Sequence, residues 1–600
     1  MVSLQILGAF LCTISLFELM TRVVVDIEGA IVRNPMMGGG GIMTDPEASK
    51  GKPWDKLWPP HLPRSLAYPD VPAWWILERN IGRFDDKDAI VFLNYEDMSE
   101  IGRHTYGELH NSAVALSVGL RELGVKKGDR VGTVLPNSPA IIQSYYGIWL
   151  AGGTIVPSSP MVKAPELRKT LNNSGVTMLI AAEQNFPEAR KACEGLDIRL
   201  IVASAGPSRG VGVPEDVVRF ENLLKTDKEP LSDFTIDPTD DVAVILYTGG
   251  TTGDPKGAML THRNIVVNAI QFAEWYAFEP GQETCVCAIP MSHSGGMAGV
   301  MNVPLYSGAT LLVMQRANPP VMGKVVEKFR ATRLFGVPTL CAALLNDKEA
   351  CCCDYSSLKA CRTGAAPLPV NIKEAFDKMA KKEVLVEAYG ITETSPLCVA
   401  NAIQHPKAGS IGIPLPDTDA KIVDIETGQE VPPNVEGELL IRGPQVMKGY
   451  LNNPEATAEA MKDGWFRTGD VVRMDEEGYF YVVDRLKDFI NASGFKVWPR
   501  EVEEVLYTYP GVKLAAVVGI PDPYRGENVK AFIVPADEAK GSLQEDDIIA
   551  FCRKRLSAYK VPRIIEFRDE LALSAAGKIL RRVLRDEERR KYESQQNPKG

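Results

Sequence analysis

Several things are missing from this sequence, and each absence closes off a class of function. Basic charge is not in excess: 67 Lys and Arg stand against 77 Asp and Glu, a formal net charge of −10. A nucleic-acid binder needs a basic face to neutralise phosphates, so nucleic acid is not an expected partner. No uninterrupted apolar run reaches the ~20 residues that a spanning helix requires. Leu4 to Met20 comes nearest, but Glu18 interrupts it, no positive charge precedes it, and no small-residue cleavage pattern stands out. Zinc-type spacing is also lacking, because Cys285/Cys287 and Cys351–Cys353 have no second ligand pair. Eleven cysteines, an odd number without a disulfide framework, predict reduced thiols and a cytoplasmic setting. Internal repeats and long low-complexity tracts are absent too.

What is present is an ordinary globular composition, 45% apolar and 24% charged, in a chain long enough for several subdomains. Residues 1–42 are expected to be a non-native or disordered extension. Met43 is read as the natural start, and Gly38 to Gly41 as a purine-rich ribosome-binding site read through as protein. Pro- and Trp-rich sequence from Lys52 to Trp75 predicts an extended arm lying over a body. Beyond it, short apolar runs alternate with helical patterns: "GDRVGTVLPNS", "GGTIVPSSP", "VTMLIAA", "LIVASAG" and "DDVAVILYTGG". That alternation predicts parallel α/β layers. Asp417 to Gly443 carries short alternating strands and turn residues, which predict an antiparallel, barrel-like β element. After Arg485 the strands "GVKLAAVVGIPD", "KAFIVPAD" and "IIEFRDEL" lie between charged helices, the pattern of a small α+β domain. The expected organisation is a large α/β domain over 43–484 and a small mobile one over 485–600.

The stretch "LYTGGTTGDPKGAMLTHRN", Leu246 to Asn264, carries the first chemical signal. It is not a Walker loop, since Lys256 is followed by Gly257 and preceded by Pro255. The physics still favours clustered phosphate oxygens. Glycines let backbone N–H groups approach an anion, Thr248, Thr251 and Thr252 add hydroxyl donors, and Lys256 adds a point charge. Asn264 is expected to cap a helix opening at Ile265.

With its neighbours, this stretch resembles the adenylate-forming enzymes, most closely their fatty acyl-CoA synthetases. Tyr247 to Gly257 is similar to the family's phosphate loop, with Gly249 in place of the usual serine. The resemblance implies ATP contacts at Thr248, Gly249, Gly250, Thr251, Thr252, Gly253 and Lys256. "TGAAPLP" looks like the adenine-side loop, implying Gly364, Ala365, Ala366 and Pro367. "VEAYGITETSP" implies Tyr389 and Gly390 at adenine, Thr392 at the α-phosphate, and Glu393 as holder of Mg2+. "WFRTGD" implies a ribose clamp at Asp470, and "VDRLKD" a further contact at Arg485 and a hinge at Lys487. "SAAGKILRR" ends in Lys578, where the family has its mobile catalytic lysine. One departure concerns the loop before it, where "ALS" at Ala572–Ser574 puts the loop's rigidity in question.

The reaction implied is attack of a carboxylate on the α-phosphorus of ATP, then displacement of AMP by a thiol. Lys578, Thr392, Glu393 and Lys256 are the expected catalytic residues. Ser493, Gly494 and Phe495 would flank entering CoA after domain rotation. No carrier-protein serine motif follows, so free CoA is the expected acceptor. The acyl pocket is expected at His293, Gly295, Gly296, Met297, Gly336 and Val337, small or adaptable residues without a charge. They favour a medium- or long-chain fatty acid. An aryl acid of the benzoate or cinnamate type is the alternative, and a non-catalytic nucleotide-binding protein the third reading. Peripheral membrane association and a homodimer stay open.

Overall fold

Short strands buried on both faces need helices on either side, and this chain supplies them alternately. The computed structural model describes residues 51–206, 212–226, 233–248, 255–492, 495–522, 526–574 and 577–596, with the side chains of all but Phe495 and residues 594–596. The extension expected at 1–42 lies outside the described residues. Arg130–Val134, Thr154–Ser158, Met178–Ala182 and Arg199–Ala203 are parallel neighbours in an eight-stranded sheet. Val242–Thr248 joins them parallel to Thr154–Ser158, and Lys256–Thr261 then pairs back on it antiparallel. A second, nine-stranded sheet holds Leu385–Gly390, Ala360–Thr363, Arg333–Gly336, Thr284–Cys287, Thr310–Met314 and Asp88–Leu93, all parallel in that spatial order. Antiparallel strands close both of its edges.

Helix His262–Trp275 is buried nearly all round. Its interior amides are satisfied: Asn268 Nδ2 donates to the Leu397 carbonyl at 2.8 Å and Gln271 Nε2 to that of Pro416 at 2.7 Å. These bonds pin the chain after Tyr389 to the helix that follows the phosphate loop. The start of this helix corrects an expectation. Thr261, not Asn264, is the N-cap, and its Oγ1 accepts from the Asn264 N–H at 3.2 Å. Asn264 Oδ1 accepts in return from the Thr261 N–H at 2.9 Å. A reciprocal capping box satisfies two orphan donors at once, so the helix begins three residues earlier than a lone Asn cap would place it.

The arm lies over the body as expected. The Ala73 N–H donates to Nδ1 of buried His262 at 3.0 Å, and burial pulls that ring down to about 3, so it stays neutral. The Leu66 N–H and Tyr68 hydroxyl both donate to Asp417 Oδ2, at 2.9 and 2.7 Å. Asp419–Val423, Gly437–Arg442, Trp465–Met474, Met461–Lys462 and Phe480–Arg485 form an antiparallel five-stranded sheet, the β element read from the sequence.

Beyond Arg485, Val512–Asp522, Gly526–Pro535, Ile564–Phe567 and the short strands Ile490–Ala492 and Phe495–Val497 form a separate sheet. Helices Pro499–Tyr507, Glu545–Arg553 and Arg581–Gln596 accompany it. This part has apolar clusters of its own, one with Val502, Leu506, Val517 and Ile548, another with Val518, Phe532, Leu571 and Leu584. Among the described residues, no helix is long and apolar enough to cross a membrane.

Candidate active site

Register sets the phosphate-loop ends face to face. Thr248 is paired with Lys256 across the antiparallel strands, so the chain leaves and re-enters the sheet at neighbouring positions. Gly249, Gly250, Thr251, Thr252 and Gly253 lie outside the described residues. The Lys256 ammonium sits over the Tyr450 ring, 5.0 Å from its centre. The Tyr450 hydroxyl in turn donates to Glu393 Oε1 at 2.8 Å. Burial, then the Glu393 charge, pushes the Tyr450 hydroxyl well above its ordinary range, which keeps it a donor. The loop's lysine and the expected metal carboxylate are thus neighbours through a tyrosine that sequence reasoning missed. Tyr450 belongs to a two-residue strand paired with Lys256–Thr261, and no local motif marked it.

A cleft of about 1720 Å³ opens beside them. It is lined by Tyr247 and Pro255 from the ends of the phosphate loop, and by Ala365, Ala366, Pro367, Tyr389, Gly390, Thr392, Asp470, Arg485, His293 and Lys578. The Tyr389 hydroxyl donates to Asp470 Oδ2 at 2.6 Å, and Arg485 Nε lies 3.2 Å from Asp470 Oδ1. Asp470 is buried, so these two partners supply what water would otherwise provide. Ala365 has φ +66°, a left-handed conformation costly for a residue with a Cβ and common where a site constrains the chain. Gly364 and Gly390 are glycine for packing, since a Cβ would stand 2.8 Å from the Ala388 carbonyl and 2.2 Å from that of Pro396.

Lys578 reaches this cleft from the small domain. Gly577, at φ +78°, lets the chain turn against Val337 and Thr339, where a Cβ would meet side-chain atoms at 3.0 and 3.2 Å. Thr339 Oγ1 also donates to the Gly577 carbonyl at 3.3 Å. Ser574, the last residue of "ALS", is bonded back to Lys578. Its Oγ accepts from the Lys578 N–H at 3.1 Å, and its own N–H donates to the Lys578 carbonyl at 2.7 Å. The Arg485 charge and then burial bring the Lys578 ammonium down to about 8, against the opposing pull of Asp470. His293 lines the cleft, and its enclosure between the cleft walls, followed by the Lys578 charge, lowers its ring below the ordinary range. Its Nδ1 accepts from the Gly295 N–H at 3.2 Å, and neighbouring Ser294 Oγ lies 3.3 Å from Thr392 Oγ1.

Other expected residues fall elsewhere. Gly296 is required by backbone, with a Cβ position 1.9 Å from the Pro290 carbonyl oxygen, and Met297 is wholly buried. Gly336 packs toward Leu340, and Val337 meets Gly577. Ser493 and Gly494 lie outside the described residues, while Phe495 opens a strand paired to Ile490–Ala492. Lys487 lies in the connection between strands Phe480–Arg485 and Ile490–Ala492. Charges clamp that connection: Arg581 Nη1 is 3.0 Å from Asp484 Oδ1 and 3.7 Å from Asp488 Oδ2, and Arg585 Nη1 is 3.0 Å from Asp488 Oδ1.

Glu387, buried behind the adenine-side loop, was also missed, although a lone charge in the strand "LVEAYG" was a legible signal. Its Oε1 accepts from the Leu368 N–H at 3.1 Å, and its Oε2 has no partner among the described residues. Burial raises this carboxyl from 4.5 to about 7. A raised acid pKa favours the protonated fold, so its contribution is full below about pH 4.5 and is lost as pH rises through 7. The loss amounts to about 3 kcal/mol. Glu387→Gln is therefore expected to melt above the wild type at pH 8 and level with or below it at pH 4.5. Parallel melting curves across that range would remove this assignment.

Comparison with known proteins shows the family. Residues 77–451 match the AMP-binding enzyme family and residues 501–578 the AMP-binding enzyme C-terminal domain. A long-chain-fatty-acid–CoA ligase of Bacillus subtilis (strain 168) is 40% identical over 560 residues, covering 90% of this chain and 98% of that protein. A feruloyl-CoA synthase of an Amycolatopsis species is 38% identical over 483 residues, covering 80% and 93%. The crystal structure of ATP-bound MatB from Rhodopseudomonas palustris superposes with a TM-score of 0.75 at 28% identity, covering 86% of this chain and 99% of that one. Matched over most of its length in both domains, the chain belongs to the AMP-binding enzyme family.

Proposed function

We propose that this chain is an AMP-forming acid–thiol ligase that activates a medium- or long-chain fatty acid with ATP and passes the acyl group to CoA. The observation that carries the reading is the convergence of Lys578, Arg485, Asp470, Tyr389 and Thr392 on one cleft that also receives the ends of the phosphate loop. The fatty acid is supported by the Bacillus subtilis relative. The feruloyl-CoA synthase relative supports an aryl acid as the second reading.

In the first half-reaction a carboxylate oxygen attacks the α-phosphorus and the bond to pyrophosphate breaks. Two anions must meet, so neutralising charge and in-line placement are the protein's main tasks. Lys578 places its ammonium where carboxylate and α-phosphate approach, Thr392 offers a hydroxyl, and Lys256 faces the outer phosphates. Asp470 holds the ribose side. Mg2+ fits here: Glu393 keeps Oε2 clear of its Tyr450 bond, and a magnesium ion characteristically takes one or two carboxylates plus substrate phosphates. When bound it would supply electrostatic neutralisation of the phosphates. In the second half-reaction the CoA sulfur attacks the acyl carbon, the bond to AMP oxygen breaks, and the thiol proton is lost. Lys578 occupies the space this needs, so rotation about Lys487 would remove it and bring Ser493, Gly494 and Phe495 alongside.

Four measurements test this. With fatty acids, benzoate and cinnamate offered in parallel, pyrophosphate release should be acid-dependent and highest for the fatty acids, and thioester should form only with CoA. Release indifferent to every acid would end the ligase reading; an aryl optimum would replace the substrate. Lys578→Ala should slow adenylation about 10²–10³-fold and leave thioester formation from preformed adenylate nearly intact. Because Lys578 loses its proton near pH 8, wild-type adenylation should decline above that pH; equal losses in both half-reactions would unseat the lysine. Lys487→Pro should impair thiol transfer selectively, and unchanged transfer would remove the hinge.

A further inference from the structure

The wall behind His293 is not uncharged. Strands Arg333–Gly336 and Ala360–Thr363 run parallel, and their register sets Arg362 directly beside Phe335 on one face of the sheet. Packed groups lead inward from His293, which itself lines the cleft. A Cβ on Gly295 would lie 3.6 Å from His293 Nδ1 and 3.7 Å from the Phe335 ring. A Cβ on Gly299 would lie 3.2 Å from Phe335 and 3.6 Å from Phe272. Arg362 stands behind them, donating from Nη2 to the Gly299 carbonyl at 3.2 Å. Its guanidinium carbon is 4.1 Å from the centre of Phe272, 5.0 Å from Tyr276 and 5.3 Å from Phe335. Gly299 belongs to a π-helix, Met297–Asn302, and such helices are frequent at functional sites.

Arg362 is 1% exposed, yet its Nε and Nη1 have no hydrogen-bond partner among the described residues. The Tyr276 hydroxyl and Asn302 Nδ2 are buried and unpartnered as well. Aromatic faces stabilise the charge of a guanidinium, but its N–H donors point out of its edges in their own plane and stay unmet. Burial first, and the Arg333 charge with it, pulls this arginine down to about 10 against the opposing pull of Tyr276, Cys285 and Cys361, none of them a carboxylate. Propping one carbonyl of the π-helix uses a single nitrogen. A neutral amide would do that without burying a cation, so the remaining donors call for an acceptor.

We propose that Arg362 is a specificity-determining residue that donates hydrogen bonds to an oxygen carried at the far end of the acid, selecting hydroxy-, oxo- or alkoxy-substituted acids over plain hydrocarbon ones. This rests on the reading of the His293 side of the cleft as the acyl site. Phe335, half-buried between Gly295 and Arg362, is the ring the distal group passes or displaces. A bare methylene chain would bring no acceptor to these donors. An oxygen there gains a charge-assisted bond and quenches a buried orphan at once, worth about 10–100-fold in discrimination.

Matched acids read this directly: octanoate against ω-hydroxyoctanoate, and cinnamate against para-methoxycinnamate, each as kcat/KM for pyrophosphate release by the full-length enzyme. The wild type should favour the oxygenated member of at least one pair about 10-fold or more; the pair that responds tells an alkyl from an aryl acid. Arg362→Met should abolish that preference by losing the oxygenated acid and gaining the plain one, and Arg362→Lys should retain part of it. Thermal melting with each acid in the absence of ATP gives a second readout, in which the oxygenated acid raises the wild-type midpoint more than that of Arg362→Met. A wild type indifferent within both pairs, or an Arg362→Met enzyme with the wild-type ratio, overturns the proposal. Should Arg362→Met not fold, an Arg362→Lys ratio equal to that of the wild type, together with equal wild-type melting shifts within both pairs, does the same. Failure of the acyl-site reading looks different: His293→Ala and Arg362→Met would both leave kcat/KM for every acid untouched.

Discussion

Two cations held in one cleft are the constraint around which the rest is arranged. Arg485 and Lys578 come from opposite sides of the connection at Lys487, and the arginine's charge is the largest influence drawing the lysine toward neutrality. Unpaired, such a pair would push the two parts of the chain apart. Asp470 answers one of them directly, and the Tyr389 hydroxyl fixes the orientation of that carboxylate. Arg581, three residues after Lys578, is bound by Asp484 and Glu503, so the lysine's segment is tied down by charges the reaction does not use. The result is that Arg485 and Lys578 are held in place by fixed carboxylate partners around them, the kind of preorganisation under which electrostatic stabilisation carries little reorganisation cost.

Much of this was legible in the residues. The buried strand ending at Thr248, the parallel alternation, the antiparallel element from Asp419 and the small α+β domain follow from periodicity and turn chemistry that depend on near neighbours. Glu387 and Tyr450 were not read because their importance lies in what other segments bring to them. Tyr450 matters through its ring beneath Lys256 and its bond to Glu393, residues separated from it by long stretches of chain. The displaced helix start has a local cause: Thr261 and Asn264 are both good caps, and only the reciprocal pair decides between them.

Glycine was the most ambiguous letter on the acyl side. Gly295 and Gly296 are adjacent and look alike as text, but Gly296 is fixed by a carbonyl 1.9 Å from its absent Cβ while Gly295 faces His293 and Phe335 across open van der Waals distance. Only at Gly295 would an added Cβ meet ordinary contacts. Arg362 shows the converse limit. Only the register with the neighbouring strand sets this charge beside Phe335.

The surroundings of His293 and the seat of Lys578 share one short segment. Phe335 looks toward Gly295 and Gly299, while two and four residues later Val337 and Thr339 receive Gly577 and thereby seat Lys578. On the hinge reading, rotation about Lys487 withdraws Gly577 and uncovers Val337 and Thr339 in the same movement that removes the ammonium. Clearing the positive charge from the acyl-adenylate and opening a path for the thiol are then one event rather than two, because a single turn of chain at Gly577 performs both jobs. Two hydrogen bonds join Ser574 to Lys578, so on the same reading these two residues would leave together.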